Sequence, residues 1–361
     1  MRISPCWSVV LAPLLACSSW EEEEVDGLRH LTRADSAPSG GSTRIVFPVE
    51  EGETNLLVTV QADPLRSVIG SLDGPEGDAW AADTASVRVP TNAGFVNTVS
   101  VLNWPVLDSD VPLSKGRWGV TVGVIADDLT YAGGDFTIDA WFATDAAPDV
   151  GTVEVMFLLA DGLEEDAGLA AALDAAVETW IELYGAVGIS VVASTAPLAG
   201  ETPGTPGVSD PDLWRALSAD GIARVNVVIA ELIEEVPDAY GLAGGIPGAL
   251  GSTGNSGVIV SALLASGFDG RFSTEETRIL AETLAHETGH YLGLFHPVEI
   301  GWDRWDAVDD TPECDTDSGC ARELSGNLMY PYPVCTALTC QPQADLTEQQ
   351  GRVAQRWTGL R

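Results

Sequence analysis

Residues 286–296 read HETGHYLGLFH, and this stretch is the most informative part of the chain. Positions four apart lie on one face of an α-helix, so His286 and His290 can offer imidazoles to the same metal ion, with Glu287 beside them. The spacing therefore predicts a helix that holds two metal ligands. It also places a carboxylate where it can take a proton from water as the water attacks a carbonyl.

The glycine and the third histidine of this stretch complete the predicted site. Gly293 can adopt a positive φ, which would end the helix and turn the chain so that His296 reaches the same ion. Three neutral imidazoles leave one position open for water, as in a catalytic zinc site, so we expect Zn²⁺ here. Two other interpretations stay open: three histidines with structural partners, and a zinc-binding domain without activity.

The chain before the motif mixes helical and strand patterns. Apolar residues at three- and four-residue spacing predict a helix over residues 169–184. Ser273 or Thr274 is expected to cap the helix that carries the motif. Apolar runs that predict strands occupy residues 153–159, 189–193, 225–229 and 258–260. We therefore assign residues 148–361 to an α/β or α+β domain.

Four of the six cysteines cluster within 27 residues after the motif: Cys314, Cys320, Cys335 and Cys340. An even group in a chain with an export signal predicts two disulfides, for which three connectivities exist. A structural zinc site is the alternative, although no pair has Cys-x-x-Cys spacing.

The loop between the last histidine and the cysteines is rich in aspartate. Carboxylate oxygens are the ligands that Ca²⁺ favours, so calcium is a possible second cofactor. A solvated acidic loop is the other interpretation, and no EF-hand spacing is present. The residues concerned are Asp303, Asp306, Asp309, Asp310, Asp315 and Asp317.

The motif at 286–296 resembles that of the metzincin metallopeptidases. These enzymes have a methionine-containing turn beneath the metal, and Met329 lies in the run Asn-Leu-Met-Tyr, 33 residues after His296. The resemblance implies a zinc peptidase domain with Met329 in the Met-turn, Glu287 as general base, and proteins or peptides as substrates.

Within the metzincins the chain is most similar to the pappalysin-like family over about residues 150 to 361. The matching segments are Gly241–Ala243 with Pro247, residues 257–260, residues 310–312 and residues 346–352. The similarity implies a twisted mixed sheet above the zinc helix, bound calcium, and disulfides pairing Cys314 with Cys335 and Cys320 with Cys340. The chain departs from the family's pattern at Pro297 and at residues 329–331, which read Met-Tyr-Pro instead of Met-x-Tyr.

Residues 44–147 show a different pattern, in which turn residues separate short alternating apolar runs. The runs are 44–49, 55–60, 87–89, 95–102, 118–125 and 136–142. Six or more short strands in about 100 residues predict an all-β sandwich. The predicted fold class is therefore multidomain, with an N-terminal β-sandwich, either a prodomain or a binding module, followed by the metzincin-like peptidase domain.

The N-terminal segment predicts export. Residues 1–16 have Arg2 before an apolar run too short to span a bilayer, which is typical of a signal peptide. The run ends in Leu-Leu-Ala-Cys, which looks like a bacterial lipobox and predicts a lipid anchor on Cys17. Residues 17–43, with four consecutive glutamates and little apolar content, predict a flexible acidic tether. An ordinary secretory signal and an uncut apolar N-terminus are the alternatives.

The net charge of the chain excludes some classes of binding partner. The 361 residues carry a formal net charge of −37 at pH 7, which repels nucleic acids and anionic lipid headgroups. Membrane contact is expected only through Cys17, and the sequence makes no prediction of oligomeric state. We expect an exported zinc endopeptidase, in a bacterial cell envelope or secreted. A surface adhesion or carbohydrate-binding protein with an inactive metallopeptidase-like domain is the alternative.

Overall fold

The structure is a computed structural model that describes residues 19–144, 150–160, 162–198, 206, 211–218, 222–234, 236–267, 269–336 and 339–361. The predicted signal peptide, Cys17 and the predicted domain boundary at residues 147–148 lie outside these residues. The strands are β1 Glu21–Val25, β2 Leu28–Ala37, β3 Ser42–Val49, β4 Glu53–Gln61, β5 Arg66–Gly74, β6 Gly77–Ala81, β7 Arg88–Val89, β8 Val99–Trp104, β9 Gly116–Ile125, β10 Gly134–Thr144, β11 Gly151–Leu159, β12 Ile189–Pro197, β13 Val225–Ala230, β14 Gly241–Ala243, β15 Val258–Ser261 and β16 Trp305–Asp306. The α-helices are α1 Ala167–Gly185, α2 Pro211–Leu217, α3 Ala262–Ala265, α4 Thr274–Tyr291, α5 Asp317–Leu324 and α6 Glu348–Gln355. Within the described ranges, no helix is long and apolar enough to cross a membrane.

The N-terminal half forms two antiparallel sheets, one in the order β1-β2-β10-β4-β8 and one in the order β3-β9-β5-β6. Phe47 on β3 and Phe142 on β10 meet with ring centroids 5.9 Å apart, so the two sheets share buried side chains. The sequence analysis did not predict β5 or β6. In β5, a bulge between Ile69 and Ser71 interrupts the two-residue period of apolar side chains. The all-β character of this half agrees with the prediction, and its packing as a sandwich stays a prediction.

The predicted tether over residues 17–43 is wrong for most of its length. Residues 21–37 form β1 and β2, and β2 pairs with β10, about one hundred residues further along the chain. Leu28 and Leu31 are buried in the core. Two of the four glutamates of β1 lie opposite basic residues of β2: Glu23 faces His30 and Glu24 faces Arg29. Local composition could not show this, because the apolar partner strand is distant in sequence.

The C-terminal half contains a five-stranded sheet in the order β12-β11-β13-β15-β14. Its pairs are parallel except at the edge, where β14 runs antiparallel to β15. Strands β13 and β15 are buried along their whole length, as expected for central strands of a parallel sheet. The strands and helices of this half match the predicted α/β or α+β class.

Helix α4, which carries the motif, is held by α1 and by its own cap. Tyr184 on α1 is buried and donates a hydrogen bond to the carbonyl oxygen of Ala285 at 2.7 Å. Ser273 is the N-cap, as predicted, and it forms a capping box with Glu276. The bond to Ala285 fixes the helix just before its histidines, and the capping box fixes its N-terminal end.

The disulfide pairing implied by the family resemblance is wrong in this structure. Cys314 pairs with Cys320 and Cys335 pairs with Cys340, so both bridges are local. The first turn of α5 brings Cys320 back to Cys314, with the two Cα atoms 5.2 Å apart. Cys335 and Cys340 form an antiparallel β-bridge, and the Thr336 amide donates to the Thr339 carbonyl oxygen at 2.8 Å. The predicted presence of two disulfides is confirmed.

Candidate metal centre

Three histidines converge at the C-terminal end of α4. His286 and His290 lie one turn apart on the helix, and His296 returns to them from the following loop. One ligand atom from each of the three lies within 4.8 Å of the others. The Nε2 atoms of His290 and His296 are 3.1 Å apart, close to the roughly 3.3 Å expected between two nitrogens that bind one tetrahedral zinc.

The return of His296 depends on a turn at Gly293, where φ is +104°. The Leu294 amide donates to the Gly289 carbonyl oxygen and the Gly293 amide donates to the His290 carbonyl oxygen, both at 2.9 Å. This pair of bonds is a Schellman motif, the helix ending that favours glycine. The structure therefore places Gly293 at the hinge that the sequence predicted.

Each histidine uses its Nδ1 atom for a protein contact. His286 bonds the Leu328 carbonyl oxygen and His290 bonds the Leu294 carbonyl oxygen, both at 2.7 Å. His296 bonds the Glu299 carboxylate at 2.9 Å. Because an acceptor on Nδ1 requires the proton there, Nε2 is left with a lone pair, which is the arrangement of metal-binding histidines.

Burial keeps the two helical histidines neutral. Burial, together with the charge of His296, lowers the pKa of His286 to about 3. The pKa of His290 is also lowered well below its usual value by burial and by the other two histidines. Neutral imidazoles near pH 7 are the form that binds a metal ion.

Glu287 is buried beside the histidines and lies against the edge strand β14. The backbone amide of Ala243 donates a hydrogen bond to its carboxylate, but burial outweighs this and raises the pKa of Glu287 to about 8. A side chain at Gly241 would place its Cβ 2.5 Å from the Glu287 Cγ atom. The absence of a side chain at Gly241 therefore gives Glu287 its place, and a bound dication would favour its ionised form.

Met329 lies beneath the histidines. A Cβ atom at Gly289 would be 2.6 Å from the Met329 sulfur, so the helix and this turn are in close contact. Asn327 accepts from the Met329 amide at 2.9 Å and donates to Gln350 on α6 at 2.8 Å. The neighbouring Leu328 supplies the carbonyl that orients His286, so the turn both supports the site and sets a tautomer.

The two tyrosines after Met329 are engaged with each other and with α5. The Tyr332 hydroxyl donates to Asp317 at 2.6 Å, and the Tyr330 hydroxyl lies 3.4 Å from that of Tyr332. Burial raises the pKa of both phenols, most strongly that of Tyr332, where the Asp317 carboxylate adds to the effect.

A pocket of about 280 Å³ opens beside His286 and Glu287. Its walls come from β14, α4 and the segment after Met329. The other lining residues are Asp238, Ala239, Tyr240, Gly241, Ile279, Glu282, Thr283, Tyr330, Pro331, Tyr332, Pro333 and Gln343. A molecule bound in this pocket would contact both the Glu287 carboxylate and His286.

Of the six aspartates in the loop after His296, only Asp306 is buried. Thr311 donates to its Oδ1 atom at 2.6 Å, whereas its Oδ2 atom makes no hydrogen bond to any part of the chain that the structure describes. Burial raises the pKa of Asp306 to about 7, and the nearby charge of Asp310 adds to this rise. A buried oxygen without a partner fits a cation ligand.

Two functional contacts were not predicted from the sequence. Glu299 orients His296, and the three-residue separation in a turn was a signal that could have been used. The amide of Ala243 holds Glu287, but it comes from a strand more than forty residues earlier, so only the fold brings the two together.

Comparisons with known proteins give partial matches. No protein-family model matches the chain, and no curated protein matches it. The archaemetzincin from Methanopyrus kandleri is 18% identical over 40% of this chain and 76% of that one, with a TM-score of 0.27. Metalloproteinase-II from Bacteroides fragilis is 15% identical over 49% of this chain and 53% of that one, with a TM-score of 0.28. This chain thus spans about half of the Bacteroides protein, and at these TM-scores the likeness carries no argument about function.

Proposed function

We propose that this protein is a zinc-dependent endopeptidase. The observation that carries the proposal is the convergence of three Nε2 atoms next to Glu287, at the wall of an open pocket. His286, His290 and His296 would hold the ion, and their Nδ1 partners already set the required tautomer. When bound, zinc polarises the substrate carbonyl and lowers the pKa of a water molecule.

Glu287 is the proton carrier in this proposal. Its carboxylate accepts a proton from the water that attacks the carbonyl carbon, and it then delivers that proton to the amine nitrogen as the C–N bond breaks. The Ala243 amide holds the carboxylate in place. The surrounding burial brings its pKa close to neutral, where a group both accepts and donates a proton readily.

The finer assignment that we propose is a metzincin-type domain of the pappalysin-like kind. The turn at Gly293 and the contact of Met329 with Gly289 support the metzincin part. The antiparallel edge strand Gly241–Ala243 supports the pappalysin-like part. The local disulfides differ from the pairing that this family implies.

We propose calcium as a second metal, bound at Asp306 and Thr311. The unpartnered Oδ2 atom and the adjacent hydroxyl are hard oxygen ligands. The test compares thermal unfolding with calcium and with a calcium chelator, in the natural protein and in Asp306→Asn. We expect calcium to raise the melting temperature only in the natural protein, and equal curves would contradict the site.

The proposed location is outside the cytoplasm, through the predicted signal peptide and a lipid anchor on Cys17, or by secretion without the anchor. A surface adhesion or carbohydrate-binding role is the alternative function. It is disfavoured because the base Glu287 is retained and faces an open pocket. A role in binding alone does not require a carboxylate there, and burying a carboxylate is energetically costly.

The test of the proposed function is incubation of the purified chain with a peptide library, with and without a zinc chelator, together with metal analysis. We expect about one zinc per chain at the histidines and peptide cleavage that stops with chelator and returns with added zinc. Zinc without cleavage would favour the binding-protein alternative. Cleavage that is unaffected by chelation would contradict the mechanism.

A further inference from the structure

The N-terminal sheets contact the C-terminal half away from the substrate pocket. Among the described residues, the lining of the pocket beside His286 and Glu287 comes only from positions 238–343. An inhibitory prosegment would have to cover this opening. The N-terminal sheets instead reach two segments that support the metal centre from outside the pocket.

The first segment is the hairpin that follows His296. Strand β7 of the N-terminal half pairs in parallel with β16, and the Trp305 amide donates to the Val87 carbonyl oxygen at 2.8 Å. Trp305 also forms an antiparallel β-bridge with Val298, which lies two residues after His296. The same hairpin carries Glu299, which orients His296. The N-terminal half therefore adds a strand to the element that positions the third ligand.

Arg88 reinforces this pairing. Its guanidinium bonds Glu313 at 2.6 Å and Asp309 at 2.8 Å, on the chain just after β16. One arginine thus joins β7 to two points of the loop that follows the third histidine. The two halves leave a cavity of about 20 Å³ between them behind the turn at Gly293, and Val106 and Phe295 both line it.

The second segment is the end of α6, which supports the Met-turn through Gln350. Asn55 and Asn103, on two strands of the N-terminal half, both donate to the Arg356 carbonyl oxygen, at 2.6 and 2.8 Å. Asn103 also accepts from the amide of Thr358 at 3.0 Å and from its hydroxyl at 2.8 Å. Both asparagines are only 5% exposed.

These contacts are of the kind that belongs to a permanent interface. Removing the N-terminal half would expose to water the Thr358 amide and hydroxyl, together with apolar residues of a core cluster that both halves share. It would also remove the strand beside β16. Removal of the N-terminal half would therefore take away contacts that position the loop after His296, which is the opposite of what activation requires.

We propose that the N-terminal sheets are a permanent part of the active protein, and that Arg88 is a positioning residue for the loop that carries His296. The proposal rests on the proposed function, because it assigns the sheets a role at the zinc site. It excludes activation by removal of residues 19–144.

The first test is zinc affinity, measured by competition with a chromophoric chelator, in the natural protein, Arg88→Met, Arg88→Lys and Arg44→Met. Arg44 is the matched control, because it is an exposed arginine that pairs with Asp73 inside the N-terminal half. We expect Arg88→Met to weaken zinc binding about 3- to 10-fold, less than the 10- to 100-fold loss typical when a direct partner of a ligand is removed. Arg88→Lys should recover part of the loss, and Arg44→Met should bind like the natural protein.

The second readout is the absorption spectrum of the cobalt-substituted proteins, which changes when a ligand shifts and does not change with general stability. We expect the spectrum to change in Arg88→Met, to change less in Arg88→Lys, and to stay unchanged in Arg44→Met. Equal affinities and spectra in all four proteins would overturn the positioning role. A natural protein that binds no zinc would contradict the proposed function itself, and the inference with it.

The permanence of the sheets is tested by intact-mass analysis during peptide hydrolysis. We expect full activity from the first time point in chains that still contain residues 19–144. A lag, followed by activity that rises with the appearance of chains beginning after residue 144, would overturn the proposal.

Discussion

His30 in the N-terminal sheets and His290 in the metal centre are both buried histidines, 8% and 6% exposed, but their surroundings are opposite. His30 lies between two carboxylates, with Nδ1 3.0 Å from Glu23 and Nε2 2.9 Å from Asp139. His290 bonds one backbone carbonyl, and its other nitrogen faces a second imidazole. Burial alone therefore does not distinguish a structural histidine from a ligand; the partner of the second nitrogen does.

The charge states of the two histidines follow from these partners. Burial works to lower the pKa of His30, but the hydrogen bonds and charges of Asp139 and Glu23 outweigh it and raise the pKa. Among the described residues, no acidic side chain opposes burial at His290, so its pKa falls. His30 also stacks on Trp141 at 3.8 Å, which uses the ring as a packing surface. The surroundings of His30 favour the charged imidazolium, whereas those of His290 favour the neutral imidazole with a lone pair on one nitrogen.

The largest expected effect is the loss of a ligand. His290→Ala should weaken zinc binding by more than the 10- to 100-fold typical of losing an outer partner, and should abolish peptide cleavage. His30→Ala, the matched variant, should keep both zinc and activity and lower only the stability. Chelator competition and peptide hydrolysis measure the two outcomes, and a loss of zinc in His30→Ala would break the comparison.

The next effect concerns two buried carboxylates. Glu287→Ala should lower kcat by about 10²- to 10⁴-fold while keeping the zinc, because only the proton acceptor is lost. Glu53, in the N-terminal sheets, is paired with Arg29 at 2.6 Å, so Glu53→Ala should reduce stability and leave kcat unchanged. Metal analysis beside steady-state kinetics checks this. An active Glu287→Ala protein would contradict the mechanism.

The hinge should respond more weakly. Gly293→Ala places a side chain where φ is +104°, which we expect to cost about 1–2 kcal/mol of unfolding free energy. The nearest atoms to the new Cβ lie 3.8 Å away, so the cost is conformational and not a clash. Gly185→Ala, at the last residue of α1 with open space around it, is the control and should be neutral or stabilising. Chemical denaturation measures both variants.

The pH dependence of stability should report His30. Because its folded pKa is raised above the ordinary 6.5, its contribution is fully present below pH 6.5 and is lost as the pH rises through the folded value. We expect denaturation of the natural protein to show a stability loss on that alkaline side that His30→Asn lacks. Parallel pH profiles for the two proteins would show that His30 is not charged in the fold.

The smallest effects are expected at the tyrosines of the pocket wall. Tyr330→Phe and Tyr332→Phe should each lower kcat by less than about tenfold, well short of the 10²- to 10³-fold loss when an oxyanion donor is removed. The reason is that the Tyr332 hydroxyl is held by Asp317. A hundredfold loss of kcat in either variant would assign that hydroxyl to the reaction.

Much of the metal centre could be predicted from eleven consecutive residues. The helical period places His286 and His290 on one face, and a positive φ at Gly293 turns the chain back toward them. Both features depend only on residues close together in the sequence. The same is true of the Ser273 cap. Strand positions in the C-terminal half were also accessible, because continuous apolar runs mark buried parallel strands.

The tertiary structure decided what depends on contacts between distant residues. Residues 21–37 look like a solvated tether until β10 supplies a paired strand and a buried face, and composition has no access to that partner. The disulfide pairs depend on which cysteine a helical turn brings closest, as α5 does for Cys320. The amide that holds Glu287 and the strand that braces the His296 hairpin come from remote segments, so sequence spacing carries no signal for them. Neighbouring residues determine the local conformation of the chain, whereas contacts between distant residues form only when the chain folds.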